Sequence, residues 1–305
     1  MVLYVIFKDG VQTEYKTSIC SKATLLILFI NFLMFTIPFL IAYNTQGFWL
    51  KSNTYLEQPD VHFIYQYLVL METDNIESPV ICTTFQSLAS HVEEYDNCPK
   101  IKAREEDYNK DGLYDKLFFE VEGAIGDNEV FEVTIILLFD YKLTSHSNFQ
   151  MQSMGWLSMS SALGGGRLDA VGELRLEQKS PLGFKGRDLR YNVSVVTATH
   201  PHEYSLPKLL SEYSNRNVTT TINNVYSVWR RGRDSDDPFV FSLELSYPEQ
   251  LVRYKPGTWQ VLKMAWVQYL ALLYVSFLIG RKLKHFVLDN RLVNNIRCHS
   301  WKKSF

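Results

Sequence analysis

The sequence has no nucleophile spaced to meet a base, no metal ligands clustered at a usable spacing and no phosphate loop, so no catalytic centre is visible and an enzyme is not expected. Gly164-Gly165-Gly166 lacks the Lys-Ser/Thr sequel of a phosphate loop and reads as a flexible connection. His200-Pro201-His202-Glu203 has no identifiable third ligand and reads as a structural loop rather than a zinc site. There is no internal repeat and no long low-complexity tract. No net basic charge marks a nucleic-acid partner, the formal total being −2.

What is present is two long apolar runs. Ala23 to Tyr43 holds 21 residues without a charge. As a helix this run is about 30 Å long, the hydrocarbon thickness of a bilayer. Ile41-Ala42-Tyr43-Asn44 offers no small-residue cleavage site, which favours an uncleaved signal anchor over a removed signal peptide. Met264 to Gly280 holds 17 residues, near the lower limit for a span. Lys263 can snorkel there, and Trp259 and Trp266 suit the interface. Arg281, Lys282 and Lys284 follow at once, the border of a stop-transfer segment rather than of a buried core helix. The expected division is an N-terminal segment 1–22, spans at 23–43 and 259–280, a middle section 44–258 and a basic tail 281–305.

The charges are sorted by side. Residues 45–257 carry 20 Lys+Arg against 30 Asp+Glu, whereas residues 281–305 carry seven against one. Cytoplasmic flanks attract Lys and Arg, so the tail places the C-terminus in the cytoplasm, and two spans return the N-terminus to the same side. Asn192-Val193-Ser194 and Asn217-Val218-Thr219 are glycosylation sequons within the section so placed outside, an independent argument for the same topology. Cys82 and Cys98 share that oxidising side and are either bridged or two buried thiols. Cys20 and Cys298 fall on the cytoplasmic side as palmitoylation candidates.

The periodicity of the middle section is mostly of the strand type. Val61–Tyr67, Lys116–Glu122, Glu129–Leu143, Leu174–Glu177, Tyr191–Val196 and Phe239–Tyr247 alternate and are rich in β-branched and aromatic residues. Turn signals between them predict a mostly β domain, antiparallel and sandwich-like. Pro207 to Tyr213 predicts one helix.

The sharpest local pattern runs from Asp107 to Asp115. Asp107, Asn109 and Asp111 occupy positions one, three and five of a candidate calcium loop, Gly112 the turn, Leu113 the carbonyl position, and Asp115 adds a further carboxylate. Position twelve is Phe118, which excludes an ordinary EF-hand. The alternative is a polar Asx-type turn without metal.

Within the runs, Asn31, Thr36, Gln268 and Ser276 are polar and uncharged, which points to packing between the two helices or against a partner, with Asn31 and Gln268 as packing candidates. No acid or Arg lies mid-span to carry an ion or proton. Pro38 is placed to bend the first helix. The tail interleaves its cations with Phe286, Val287, Leu292, Val293, Ile296 and Trp301, a composition attracted to anionic lipid, the alternative being a merely solvated topogenic tail.

Several phrases occur together in order: Ile19-Cys20-Ser21-Lys22-Ala23, Gly47-Phe48-Trp49-Leu50-Lys51-Ser52, Glu57-Gln58-Pro59, Arg104-Glu105-Glu106-Asp107, Met151-Gln152-Ser153-Met154, Arg216-Asn217-Val218-Thr219-Thr220 and Ala265-Trp266-Val267-Gln268-Tyr269. In these the chain resembles the transmembrane protein 231 family. The resemblance implies a component of the ciliary transition zone, within the tectonic-like or Meckel syndrome complex, with partners such as meckelin and tectonic proteins. It implies no catalytic residue. Two rivals share the two-span layout: a ligand-gated channel subunit, which would need polar pore-lining periodicity, and a glycosylated accessory subunit of a transporter.

Overall fold

A computed structural model describes residues 13–16, 21–45, 50–75, 79–85, 98–196, 205–234, 237–294 and 296–299. The chain divides into two units, Ser52–Lys255 and a second made of Met1–Lys51 with Pro256–Phe305.

In the second unit, β1 (Thr13–Lys16) is followed by α1 (Lys22–Asn44), and α3 (Thr258–Asp289) by β14 (Ile296–His299). Ser21 caps α1 by accepting the Thr24 N–H at 3.3 Å. Both helices are long and apolar enough to cross a membrane. α3 does not stop where the apolar run ends. No Gly or Pro follows Gly280 until Asn290, so Leu, Lys and Arg carry the helix through the basic border. β1 and β14 pair antiparallel, joining the segments outside the two helices.

The Ser52–Lys255 unit holds β2 (Asn53–Glu57), β3 (Asp60–Thr73), β4 (Val80–Thr83), β5 (Lys100–Glu106), β6 (Lys116–Gly123), β7 (Val130–Leu143) and β8 (Asn148–Gly165). It continues through β9 (Arg167–Gln178), β10 (Arg187–Tyr191), α2 (Leu206–Ser214), β11 (Val218–Arg230), β12 (Phe239–Ser246) and β13 (Gln250–Tyr254). One sheet has the order β10-β8-β7-β3-β4, the other β11-β9-β12-β6-β5, and β13 pairs with β2 in a separate ribbon. The pairings are antiparallel except β8 with β10 and β9 with β12, so both sheets are mixed. In the second of these pairs the chain leaves β9, traverses β10, α2 and β11, and returns beside β9 in its original direction.

Phe63 of β3 lies edge-on to Phe119 of β6 at 5.9 Å, which places the inner faces of the two sheets in one core with Phe139, Phe241 and Leu243. β7 departs from the alternation expected of it: Val133 to Phe139 are buried without interruption. The reason is α2. Leu206, Leu209, Leu210 and Tyr213 pack with Leu68, Ile136, Leu138 and Met154 on the outer face of the sheet, so β7 is covered on both sides.

Two readings are corrected. Tyr191–Val196 is not a strand, since only Tyr191 belongs to β10 and bends follow it. Gly164-Gly165-Gly166 is not a flexible connection. Gly164 and Gly165 close β8, Gly166 donates its N–H to Arg230 and its carbonyl accepts the Val240 N–H. A Cβ on Gly165 would lie 2.2 Å from the Trp229 indole nitrogen, so close approach rather than pliability demands glycine.

Candidate functional site

Two phrases distant in sequence meet at one corner of the β domain. Tyr213, buried on α2, accepts through its hydroxyl the N–H of Met154 on β8 at 3.1 Å and of Thr220 on β11 at 2.8 Å. The Thr220 hydroxyl donates to the Met154 carbonyl at 2.9 Å. One phenol thereby joins β8 of one sheet to β11, the edge strand of the other. Arg216 donates to the Gln152 carbonyl at 3.0 Å and lies over the rings of Tyr191 and Tyr213 at 5.5 and 5.3 Å. Burial lowers its pKa, the two tyrosines opposing that shift.

The sequons belong to the same corner. Asn192 and Asn217 are exposed, and the Asn217 N–H donates to the hydroxyl of Tyr191, the neighbour of Asn192, at 3.1 Å. Cys82 of β4 and Cys98 are joined by a disulfide, with Cα atoms 5.9 Å apart.

The acidic loop is built from turns. Asp107 accepts the N–H of Lys110 at 2.7 Å and of Gly112 at 3.0 Å. Asn109 accepts from Asp111, and Asp111 from Leu113 at 2.8 Å. Asp115 accepts the Tyr108 N–H at 2.8 Å and, on its other oxygen, the side-chain amide of Gln58 at 2.8 Å. These are Asx-type contacts, and each carboxylate oxygen so engaged keeps a further lone pair. Among the described residues no three His, Cys, Asp or Glu are grouped to hold a metal. His200 to Glu203 lie outside the described residues.

The Glu57-Gln58-Pro59 phrase has a physical role here. Glu57 is buried at the end of β2 and caps the turn after β7, accepting the N–H of Thr144 at 2.7 Å and Ser145 at 2.9 Å. Gln58 ties β2 to the acidic loop. Glu105 accepts the Phe63 N–H at 2.8 Å and the Tyr247 hydroxyl at 3.3 Å, and its burial raises its pKa.

The hydrogen bond from Gln58, followed by the loop amides, holds the Asp115 carboxyl below the usual range. Its folded pKa is below its unfolded value. It therefore stabilises the loop above the unfolded pKa, near 4, and that contribution is lost as pH falls through the folded value. Gln58→Ala is expected to lower the stability of the full chain at pH 7, where the contribution is fully present, and to move the acid-unfolding midpoint to higher pH. Coincident acid transitions would remove Gln58 from this role. In the same assay, melting in millimolar calcium and in chelator should coincide if the loop is a turn alone; a calcium-dependent rise abolished by Asp111→Ala would establish the ion.

In the helical unit, α1 presents Ala23, Ile30, Met34, Pro38 and Ala42 at buried positions, and α3 presents Ala265, Gly280 and Val287. Ser276 donates to the Met34 carbonyl at 3.1 Å, and Lys284 donates to the Asn31 side-chain carbonyl. Asn31 thus packs between the helices, whereas the Gln268 side chain is exposed. Thr36 is satisfied within α1 by the Phe32 carbonyl at 2.9 Å. A Cβ on Gly280 would meet the Met34 sulfur at 2.0 Å. Gly280→Leu is expected to separate the pair at about 1 to 3 kcal/mol of overpacking, and Met34→Ala in the same chain to recover much of it. Thermal unfolding of the single and double variants checks this; additive losses would mean that the two positions do not touch.

Residues 1–297 match the description Transmembrane protein 231. The chain belongs to the transmembrane protein 231 family. The mouse (Mus musculus) member is 38% identical over 300 residues, spanning 97% of this chain and 95% of its own length. The cattle (Bos taurus) member is 39% identical over 300 residues with the same coverage, and the human (Homo sapiens) member 37% over 303. A proton-activated chloride channel overlays at TM-score 0.25 with 11% identity, covering 87% of this chain and 99% of its own, an overlap too weak to bear on fold or activity. Membership in the transmembrane protein 231 family gives the two apolar helices their reading as membrane spans flanking the β domain.

Sequence reasoning missed Tyr213 and Lys284. The signal for Tyr213 was present, an aromatic with a polar tip on the inner face of a short helix. Lys284 was read as part of the stop-transfer border, because nothing in the sequence states how far one helix slides along the other.

Proposed function

We propose that the chain is a non-catalytic scaffold of the ciliary transition zone, a membrane component of the tectonic-like complex that limits exchange between ciliary and plasma membrane. In this reading the β domain lies outside the cytoplasm, both termini lie inside it, and partners such as meckelin and tectonic proteins engage the β domain and the spans. The observation that carries it is family membership across residues 1–297. The β1–β14 pairing supports a common side for the two ends, since a ladder between them requires an even number of crossings. Exposed sequons on the β domain support the outer placement of that domain. The mechanism is assembly: the paired helices and the β domain present fixed surfaces, and no turnover is involved. Light microscopy of the tagged chain in ciliated cells tests it. A ring at the ciliary base is expected, and an even plasma-membrane or endomembrane signal would refute the reading.

A further inference from the structure

The two apolar runs are out of step. Met34 is near the middle of the first run, yet its contacts are with Ser276 and with Gly280, the last residue of the second run. One turn further on, Lys284 reaches Asn31. The first half of α1 therefore runs alongside Arg281 to Asp289 rather than alongside apolar helix. Eleven residues separate Ala23 from Met34, about 16 Å of helix and about half a bilayer.

Either placement in a flat bilayer is costly. If the α1 run fills the hydrocarbon, Arg281, Lys282 and Lys284 are drawn into one leaflet, where cations are strongly disfavoured. If the α3 run fills it, Leu25, Leu28, Phe29 and Phe32, all exposed, stand in water. Lys284 is half-buried and held by Asn31, while Arg281 and Lys282 are exposed. The one acid on this stretch, Asp289, is engaged by His285 at 2.5 Å. The stretch thus keeps excess positive charge beside an apolar helix face.

We infer that Arg281, Lys282 and Lys284 form a binding site for the headgroup of an acidic phospholipid, seated in a leaflet thinned against α1. The headgroup phosphate supplies the missing negative charge, and the surrounding lipid of the thinned leaflet covers Leu25, Leu28, Phe29 and Phe32, which α1 turns away from α3. Local thinning and anionic headgroups together remove both costs, which neither a neutral lipid nor a soluble anion does. The inference rests on the two-span reading and not on the ciliary one.

The test is the full chain reconstituted in phosphatidylcholine nanodiscs with and without phosphatidylserine, then extracted and weighed by native mass spectrometry. Wild type is expected to retain phosphatidylserine over phosphatidylcholine, and Arg281→Gln with Lys282→Gln to lose about fivefold of that preference per cation. Both positions are exposed, so the helix pair persists and circular dichroism verifies it. Excess inorganic phosphate should not compete. Equal retention by wild type and variant overturns the site; competition by inorganic phosphate makes it a plain anion site; covering of the stretch by an acidic partner protein in place of lipid also overturns it. Microscopy at the cilium is unaffected by any of these results, so the two readings fail separately.

Discussion

Tyr213→Phe is expected to destabilise the β domain by about 2 to 6 kcal/mol, because it leaves the buried N–H groups of Met154 and Thr220 without an acceptor, at about 1 to 3 kcal/mol each. The change removes one oxygen and little volume, so the loss comes from hydrogen bonding and not from packing. Tyr191→Phe is the matched control. It removes a hydroxyl that accepts a single N–H, from exposed Asn217. Thermal unfolding of the full chain should show a much larger fall for Tyr213→Phe. Equal shifts would mean that the corner between β8 and β11 does not depend on α2.

Opening the Cys82–Cys98 bridge should cost about 3 kcal/mol, the chain-entropy value for a loop closed over a sequence separation of 16. Cys82 is buried on β4, the edge strand next to β3, so an open loop also loosens that edge. Wild type should melt at lower temperature in reductant, whereas the Cys82→Ala/Cys98→Ala chain should melt at one temperature with or without it. Reductant-insensitive wild type would indicate two thiols in place of the bridge.

Where hydrophobic pattern alone decides, the sequence was informative. The helices, β3, β6, β7, β9 and β12 fall on runs whose composition and period announce them, and Ser205-Leu206-Pro207 marks the start of α2. β8 was illegible for a physical reason. Asn148 to Gly165 is rich in Ser, Met and Gln, with weak strand preference, and it is a strand because β7 pairs with it along almost its whole length. Tyr191 to Val196 shows the converse, strand-like residues released from a ladder because β10 ends at a bend. The parallel β9–β12 pair follows from the return path of the chain, which local pattern does not encode. At the candidate sites, spacing showed that Asp107 to Asp115 converge, but whether their oxygens meet amides or a cation is decided by the turn itself. Asn31 was marked by polarity in an apolar run; its partner Lys284 depends on helix register, a tertiary property.

The proposed placement of the β domain outside the cytoplasm rests on charge sorting and the two sequons, and glycan mapping tests it most directly. Membranes from cells expressing wild type, Asn192→Gln, Asn217→Gln and the double variant are treated with an N-glycosidase and their masses compared. The account predicts a mass drop for wild type, a smaller one for each single variant and none for the double variant. No drop for wild type, together with modification of a sequon engineered between Arg291 and Asn294, would place the tail outside and contradict the topology.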